Sequence, residues 1–127
     1  MSLSEKEIAD LKQQLLSRYS ELRKLVREEL ERSDHAHYRD LAGQVHDAGE
    51  EAVADLLVDV ELAVIDQHVE ELKEIETALK RIDAGVYGQC VDCGADIGLE
   101  RLKIQPTASR CIVCQEKAEQ QAETPSL

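Results

Sequence analysis

Aromatic side chains are almost absent from this chain of 127 residues, which has three tyrosines and neither phenylalanine nor tryptophan. Aromatic residues supply much of the buried area in thick globular cores. The chain therefore lacks the material for a large enclosed substrate pocket. Its length allows one domain, with at most a small appendage.

Long apolar runs are also missing. No stretch approaches the ~20 apolar residues that span a bilayer. Residues 1–12 alternate charges where a signal peptide would have an apolar segment. We therefore expect a soluble, cytoplasmic protein without a membrane partner.

Basic side chains are outnumbered, with 15 Lys and Arg against 27 Asp and Glu, so the formal net charge is −12. Affinity for nucleic acids comes largely from Lys and Arg that displace counterions from phosphates. The charge balance therefore disfavours direct DNA binding.

Glycine and proline are scarce, and their absence leaves two long segments uninterrupted. In the first segment, apolar residues recur at steps of three and four: Ile8, Leu11, Leu15, Tyr19, Leu22, Val26 and Leu30. This spacing predicts a helix over 4–37. Gly43 and Gly49, in a polar stretch, predict a turn between about 38 and 49.

The second segment has a seven-residue repeat. One heptad position holds Val58, Ile65, Leu72 and Leu79, and its companion holds Glu61, His68, Ile75 and Ile82. Two such positions face a partner helix. We predict an antiparallel hairpin of two helices, each roughly 50 Å long, with its tip near 40–50. A helical bundle or a dimeric coiled coil fits the same pattern.

All four cysteines occur in two pairs, Cys90 with Cys93 and Cys111 with Cys114, with seventeen residues between the pairs. This spacing is typical of a four-cysteine zinc site, in which each pair supplies two thiolates from one tight turn. Two disulfides conflict with a reducing compartment, and a thioredoxin-like dithiol would need a βαβ setting. Four protein ligands leave no open position, so we predict one structural Zn²⁺.

No catalytic constellation accompanies this cluster. His35, His37 and His46 lie near the predicted tip. They have no paired carboxylates or second ligand set in a recognisable spacing, so we interpret them as surface histidines. The chain is not expected to be an enzyme.

The cysteines lie within a longer stretch that resembles the DksA/TraR family of C4-type zinc-finger proteins. The residues that carry the resemblance are 78–82 (ALKRI), 85–90 (GVYGQC), 93–94 (CG), 97–102 (IGLERL), 106–108 (PTA) and 111–115 (CIVCQ). The hairpin that precedes them also looks like the coiled coil of the family, so the resemblance covers nearly the whole chain.

The resemblance implies a bacterial transcription regulator that binds RNA polymerase directly and without recognising DNA sequence. We expect it to be a monomer. In the family, the zinc module docks near the rim of the secondary channel and the coiled coil reaches toward the active site. The alternative is a zinc-stabilised coiled-coil adaptor, or a thiol redox switch, that keeps the fold without the tip activity.

The family's tip motif, Asp-x-x-Asp-x-Ala, corresponds here to Asp47, Glu50 and Ala52, with Glu50 in place of the second aspartate. The alternative is that Asp47 and Glu50 have no role at the tip and only cap and charge the start of a helix.

A second departure from the family concerns guanosine tetraphosphate (ppGpp). In members that respond to ppGpp, basic side chains line a site whose positions correspond here to Glu74, Gln105 and Gln115. None of these carries the positive charge that a polyphosphate needs. The resemblance therefore implies an action independent of ppGpp.

These observations predict a mainly α fold in three parts. Residues 1–84 form the coiled-coil hairpin, and residues 85–122 form the C4 zinc module with a short C-terminal helix that begins near Cys111. Residues 123–127 form a disordered tail.

Overall fold

The computed structural model describes residues 3–49 and 53–123. The described residues form α1 (Glu5–Glu31), α2 (Ala36–Asp47), α3 (Val53–Leu56), α4 (Ala63–Asp83), α5 (Leu99–Ile104) and α6 (Ile112–Glu123). Within those ranges the only β pairing is one isolated bridge, between Gln89 and Asp96. The predicted mainly helical fold is confirmed. Among the described helices, none combines the length and the apolar character needed to cross a membrane.

Helix α1 begins with a capping box. The Ser4 hydroxyl accepts from the Glu7 amide at 3.1 Å, and the Glu7 carboxylate accepts from the Ser4 amide at 2.8 Å. Both bonds satisfy amides that have no partner within the helix. The apolar face predicted from the sequence is buried along the whole helix, at Leu11, Leu15, Tyr19, Leu22, Val26 and Leu30.

The prediction that this helix continues to residue 37 is wrong. It ends at Glu31, and the chain reverses over residues 32–35. Four positions after Leu30 the apolar face meets Asp34, so no apolar contact extends the helix. The Ser33 hydroxyl accepts from the His35 amide at 3.1 Å, and such local bonds compete with helical ones. Helix α2 then runs back along α1 and buries Leu41, Ala42 and Val45.

The second segment is also interrupted. After α3 the chain makes a turn at residues 57–59 and stays non-helical to Leu62. Val58, predicted to face the partner helix, is 69% exposed. Closely spaced β-branched residues at 58 and 60 lose side-chain freedom in a helix and lower its propensity. The later positions of the same repeat, Ile65, Leu72 and Leu79, are buried in α4 as predicted.

Helices α1 and α4 are antiparallel. Arg18 pairs with Glu71 in their middle, and the Tyr38 hydroxyl accepts from the Glu61 amide near the reversal at 32–35. Helix α2 packs against α1, and α3 packs against α4 and α2. The four segments form a small bundle within one chain, which is one of the arrangements that the repeat left open.

The position predicted for the tip differs from the structure. Residues 40–47 form the last two thirds of α2, and they pack along α1, where Arg23 donates to the Val45 and Ala48 carbonyls. The reversal at 32–35 lies at the far end of α1 instead. Burial of the apolar face of α2 against α1 accounts for the difference, because an extended hairpin would expose that face.

The zinc module follows directly on α4. Gly85, with φ +76°, lies in the left-handed region just after the helix ends, as is common for glycine at helix C-termini. Tyr87, Ile97, Leu102 and Ala108 form the buried centre of the module. Helix α6 extends to Glu123, and the rest of the predicted tail, residues 124–127, lies outside the described residues.

Candidate functional site

The first cysteine pair is held by a tight turn. The Cys90 amide donates to the Ala95 carbonyl at 2.7 Å, and the Gly94 amide donates to the Cys90 carbonyl at 3.0 Å. Gly88 and Gly94 have φ of +88° and +78°, in the left-handed region that favours glycine. These two glycines let the backbone fold around the sulfur atoms.

The second pair lies at the start of α6. Cys111 immediately precedes the helix, and Cys114 is in its first turn. Two contacts connect this pair to the first turn: the Val91 amide donates to the Ser109 carbonyl at 2.8 Å, and Arg110 Nε donates to the Asp92 carboxylate at 2.7 Å.

The four sulfur atoms form a compact set. All of them lie within 4.8 Å of one another, and Cys93 Sγ and Cys111 Sγ are 3.8 Å apart. A tetrahedral zinc ion with Zn–S bonds of about 2.3 Å requires sulfur atoms about 3.8 Å apart. None of the four is in a disulfide. The geometry fits a four-thiolate zinc site.

Local hydrogen bonds favour a thiolate at one ligand. The Cys111 amide, with help from the Cys93 and Asp92 amides, lowers the pKa of the Cys90 thiol to about 6. Hydrogen bonding to the sulfur atoms of Cys111, Cys90 and Cys93 raises the pKa of Cys114 to about 12. Four thiolates at this spacing repel one another, and a divalent cation between them removes that repulsion.

Comparison with known proteins agrees with this site. Residues 85–120 match the family described as the prokaryotic dksA/traR C4-type zinc finger. The RNA polymerase-binding transcription factor DksA of Caulobacter vibrioides is 30% identical over 122 residues, which cover 92% of this chain and 79% of the relative. The chain belongs to the DksA/TraR family.

Other relatives of this DksA/TraR protein carry the same name. DksA of Escherichia coli K12 is 34% identical over 97 residues, which cover 76% of this chain but only 64% of that protein. The solved structure of transcription factor DksA2 from Pseudomonas aeruginosa superposes with a TM-score of 0.64 at 30% identity, covering 95% of this chain and 89% of the other. The predicted family is confirmed.

The family match and the sulfur geometry together identify Cys90, Cys93, Cys111 and Cys114 as the ligands of one zinc ion. All four ligands come from the chain, so no position remains for water or substrate and the ion is structural. Among the described residues, no other group of cysteine, histidine or carboxylate side chains could hold a metal.

The predicted tip residues lie apart from the metal. Asp47 is the last residue of α2, and its side chain is 84% exposed, 3.2 Å from the His46 ring. Glu50 and Ala52 lie outside the described residues. His35 and His37 are exposed, and their ring centroids lie 5.4 Å and 5.9 Å from that of Tyr38.

The positions aligned with the family's ppGpp site are only partly brought together. Glu74 and Gln105 line one groove, of about 530 Å³, between α1, α4 and the loop after α5. Gln115 lies on α6 and does not line that groove. The groove's cation is Arg18, which is held by Glu71 and Glu21.

Two residues that sequence reasoning missed connect the helices around Asp47. Arg23 of α1 donates to backbone carbonyls at the end of α2, and Glu76 of α4 is buried at 6% exposure between α1 and α3. The sequence held a signal for Glu76, because it lies four residues after Leu72 and three before Leu79, on the apolar face of α4.

Proposed function

We propose that this protein binds bacterial RNA polymerase directly and regulates transcription through protein contacts. The zinc module docks near the rim of the secondary channel, and the helical hairpin enters the channel. The observation that carries the proposal is the position of the C4 zinc centre. It lies at one end of an antiparallel hairpin, in a chain whose relatives are named RNA polymerase-binding transcription factors.

The shape of the molecule supports this proposal. Helix α1 has 27 residues, which at 1.5 Å per residue makes it roughly 40 Å long. The zinc module follows the end of α4, so the reversal at 32–35 lies at the opposite end of the hairpin. One end is thus free to enter a channel while the module rests on its rim.

The charge of the protein supports contact with protein instead of DNA. A net charge of −12 disfavours approach to a phosphate backbone. We propose that the protein acts as a monomer in the bacterial cytoplasm, where its partner works, without reading DNA sequence.

Asp47 is the residue that we propose to act near the polymerase active site. Its carboxylate is exposed at the end of α2, where Arg23 donates to the Val45 and Ala48 carbonyls. Because Arg23 is eight residues before the end of α1, Asp47 lies about 12 Å back from that end along the helix. The carboxylate is therefore on the flank of the hairpin, and in this proposal it approaches the active site from the side of the hairpin.

A transcription assay with purified polymerase tests the proposal. Asp47→Asn removes the charge without changing the size of the side chain. The matched control is Asp40→Asn, which removes another exposed carboxylate two turns earlier on the same face of α2.

We expect the wild type and Asp40→Asn to change the output of a sensitive promoter equally, and Asp47→Asn to bind polymerase but lose most of the effect. A wild type without any effect contradicts the regulator and favours the adaptor alternative. Equal effects of the two variants contradict the role of Asp47.

A further inference from the structure

We propose that Arg23 and Glu76 are positioning residues that fix Asp47 on the flank of the hairpin. Arg23 holds the end of α2, which carries Asp47, and Glu76 holds the start of α3. This inference rests on the proposed function, because it concerns the residue through which the protein is proposed to act.

Arg23 reaches from α1 to the last turn of α2. Its Nη2 atom donates to the Ala48 carbonyl at 2.6 Å, to the Val45 carbonyl at 2.9 Å and to the His46 carbonyl at 3.3 Å. The last carbonyls of a helix have no partner within it, and a positive charge is favourable there. The three acceptors flank Asp47 on both sides, so Arg23 fixes the backbone from which its side chain projects.

Glu76 holds the backbone at the start of α3, as Arg23 holds it at the end of α2. Its Oε2 atom accepts from the Tyr19 hydroxyl at 2.5 Å and from the Ala54 amide at 3.1 Å. One carboxylate on α4 therefore joins α1 and the start of α3. Because it is buried, removing its partners leaves a polar group without compensation, which opposes movement of α3.

The two contacts adjoin on α1. Tyr19 and Arg23 are four residues apart, so they lie on the same face one turn apart. Arg23 donates to the Ala48 carbonyl at the end of α2, and Tyr19 is joined to the start of α3 through Glu76, which also accepts from the Ala54 amide. Arg23, Tyr19 and Glu76 thus hold the backbone on both sides of the connection that follows Asp47. Their hydrogen bonds form only when the helices of the bundle are packed together.

The first test removes the Arg23 contacts but keeps the charge. All three bonds come from Nη2, and the ammonium nitrogen of a lysine is one bond closer to the main chain, so it lies short of these carbonyls. Arg27→Lys is the matched control, since Arg27 lies one turn further along α1 and pairs with Glu31 instead. Amide hydrogen exchange, zinc content, affinity for core polymerase and transcription output are measured on each variant.

We expect Arg23→Lys to accelerate amide exchange at residues 45–48 by about tenfold. It should lower the transcription effect at saturating protein, with zinc content and polymerase affinity unchanged. Arg27→Lys should alter none of these. Unchanged exchange in Arg23→Lys overturns the inference, and so does faster exchange with a full transcription effect.

The second test uses two replacements of Glu76. Glu76→Gln retains an acceptor oxygen for Tyr19 and Ala54, whereas Glu76→Met has a similar volume and no acceptor. We expect the glutamine variant to keep the transcription effect and the methionine variant to lose it while still binding zinc and polymerase. Equal behaviour of the two variants contradicts the role of Glu76.

The experiments distinguish failure of the proposed function from failure of the positioning role of Arg23. If the wild-type protein neither binds polymerase nor changes transcription, the proposed function falls. The exchange measurement on Arg23→Lys and Arg27→Lys then still decides whether Arg23 fixes the end of α2.

Discussion

The Tyr19 hydroxyl donates a 2.5 Å hydrogen bond to Glu76, and both side chains are buried between α1 and α4. Burial, together with the bond to this carboxylate, raises the pKa of Tyr19 above its ordinary value. Among the described residues of the helical bundle, Tyr19 is the only fully buried aromatic side chain, and it is also a polar connection between the helices.

Removal of this hydroxyl should destabilise the protein. Tyr19→Phe keeps the ring but leaves the buried Glu76 carboxylate with one donor fewer, which costs about 1–3 kcal/mol in the free energy of unfolding. Urea unfolding followed by circular dichroism measures the loss. Tyr38→Phe is the control, because its hydroxyl contacts an exposed amide at 3.3 Å, and it should cost under about 0.5 kcal/mol. Equal losses would contradict the importance of the buried bond.

Stability should fall at alkaline pH, in part because of Tyr87. Burial raises the pKa of Tyr87 to about 12, whereas an unfolded tyrosine ionises near about 10. The folded state thus holds this proton more tightly, so its contribution is complete below about pH 10 and is lost as pH rises toward 12. Urea midpoints measured between pH 8 and 11.5 should fall less steeply above pH 10 for Tyr87→Phe than for the wild type. Parallel curves would contradict this contribution.

Loss of zinc should unfold the zinc module and leave the hairpin. The module has few buried apolar side chains of its own, and a structural zinc supplies on the order of 10 kcal/mol of folding free energy. A strong chelator should therefore abolish amide protection over residues 85–120 while most of the helical signal of α1 and α4 remains. Addition of one equivalent of zinc should restore the amide protection. A chelator that changes nothing would refute the structural role of the metal.

The effect on transcription should be independent of ppGpp. The groove that contains Glu74 and Gln105 also exposes Glu70, and its Arg18 is already paired with Glu71. A polyphosphate needs free positive charge at such a site. Transcription from a ribosomal promoter should respond equally to the protein with and without ppGpp, and Glu74→Gln should not change this. Strong potentiation by ppGpp would contradict the prediction.

Much of the structure could be predicted because the relevant signals are local. The buried face of α1 from Leu11 to Leu30 follows from helical periodicity, and the zinc ligands follow from the spacing of Cys90 to Cys114. The repeat in α4 gave Ile65, Leu72 and Leu79 correctly for the same reason.

The return of α2 along α1 could not be predicted in this way. It depends on contacts between residues distant in sequence, such as Arg23 with the Ala48 carbonyl and Glu76 with the Ala54 amide. The seven-residue repeat of apolar residues also includes Val58 and so predicted that it is buried. In the structure Val58 lies in an exposed turn. The metal site could be predicted because local turns form it. The position of Asp47 could not, because it depends on the packing of all the helices in the bundle.

Binding to core RNA polymerase in the absence of DNA shows whether this protein acts through contacts with the enzyme itself. Zinc-loaded protein is mixed with purified bacterial core polymerase, and the complex is detected by sedimentation velocity. We expect a one-to-one complex that forms without DNA or ppGpp and is lost when the zinc is removed. Absence of a complex at micromolar protein, with the zinc site loaded, would contradict it.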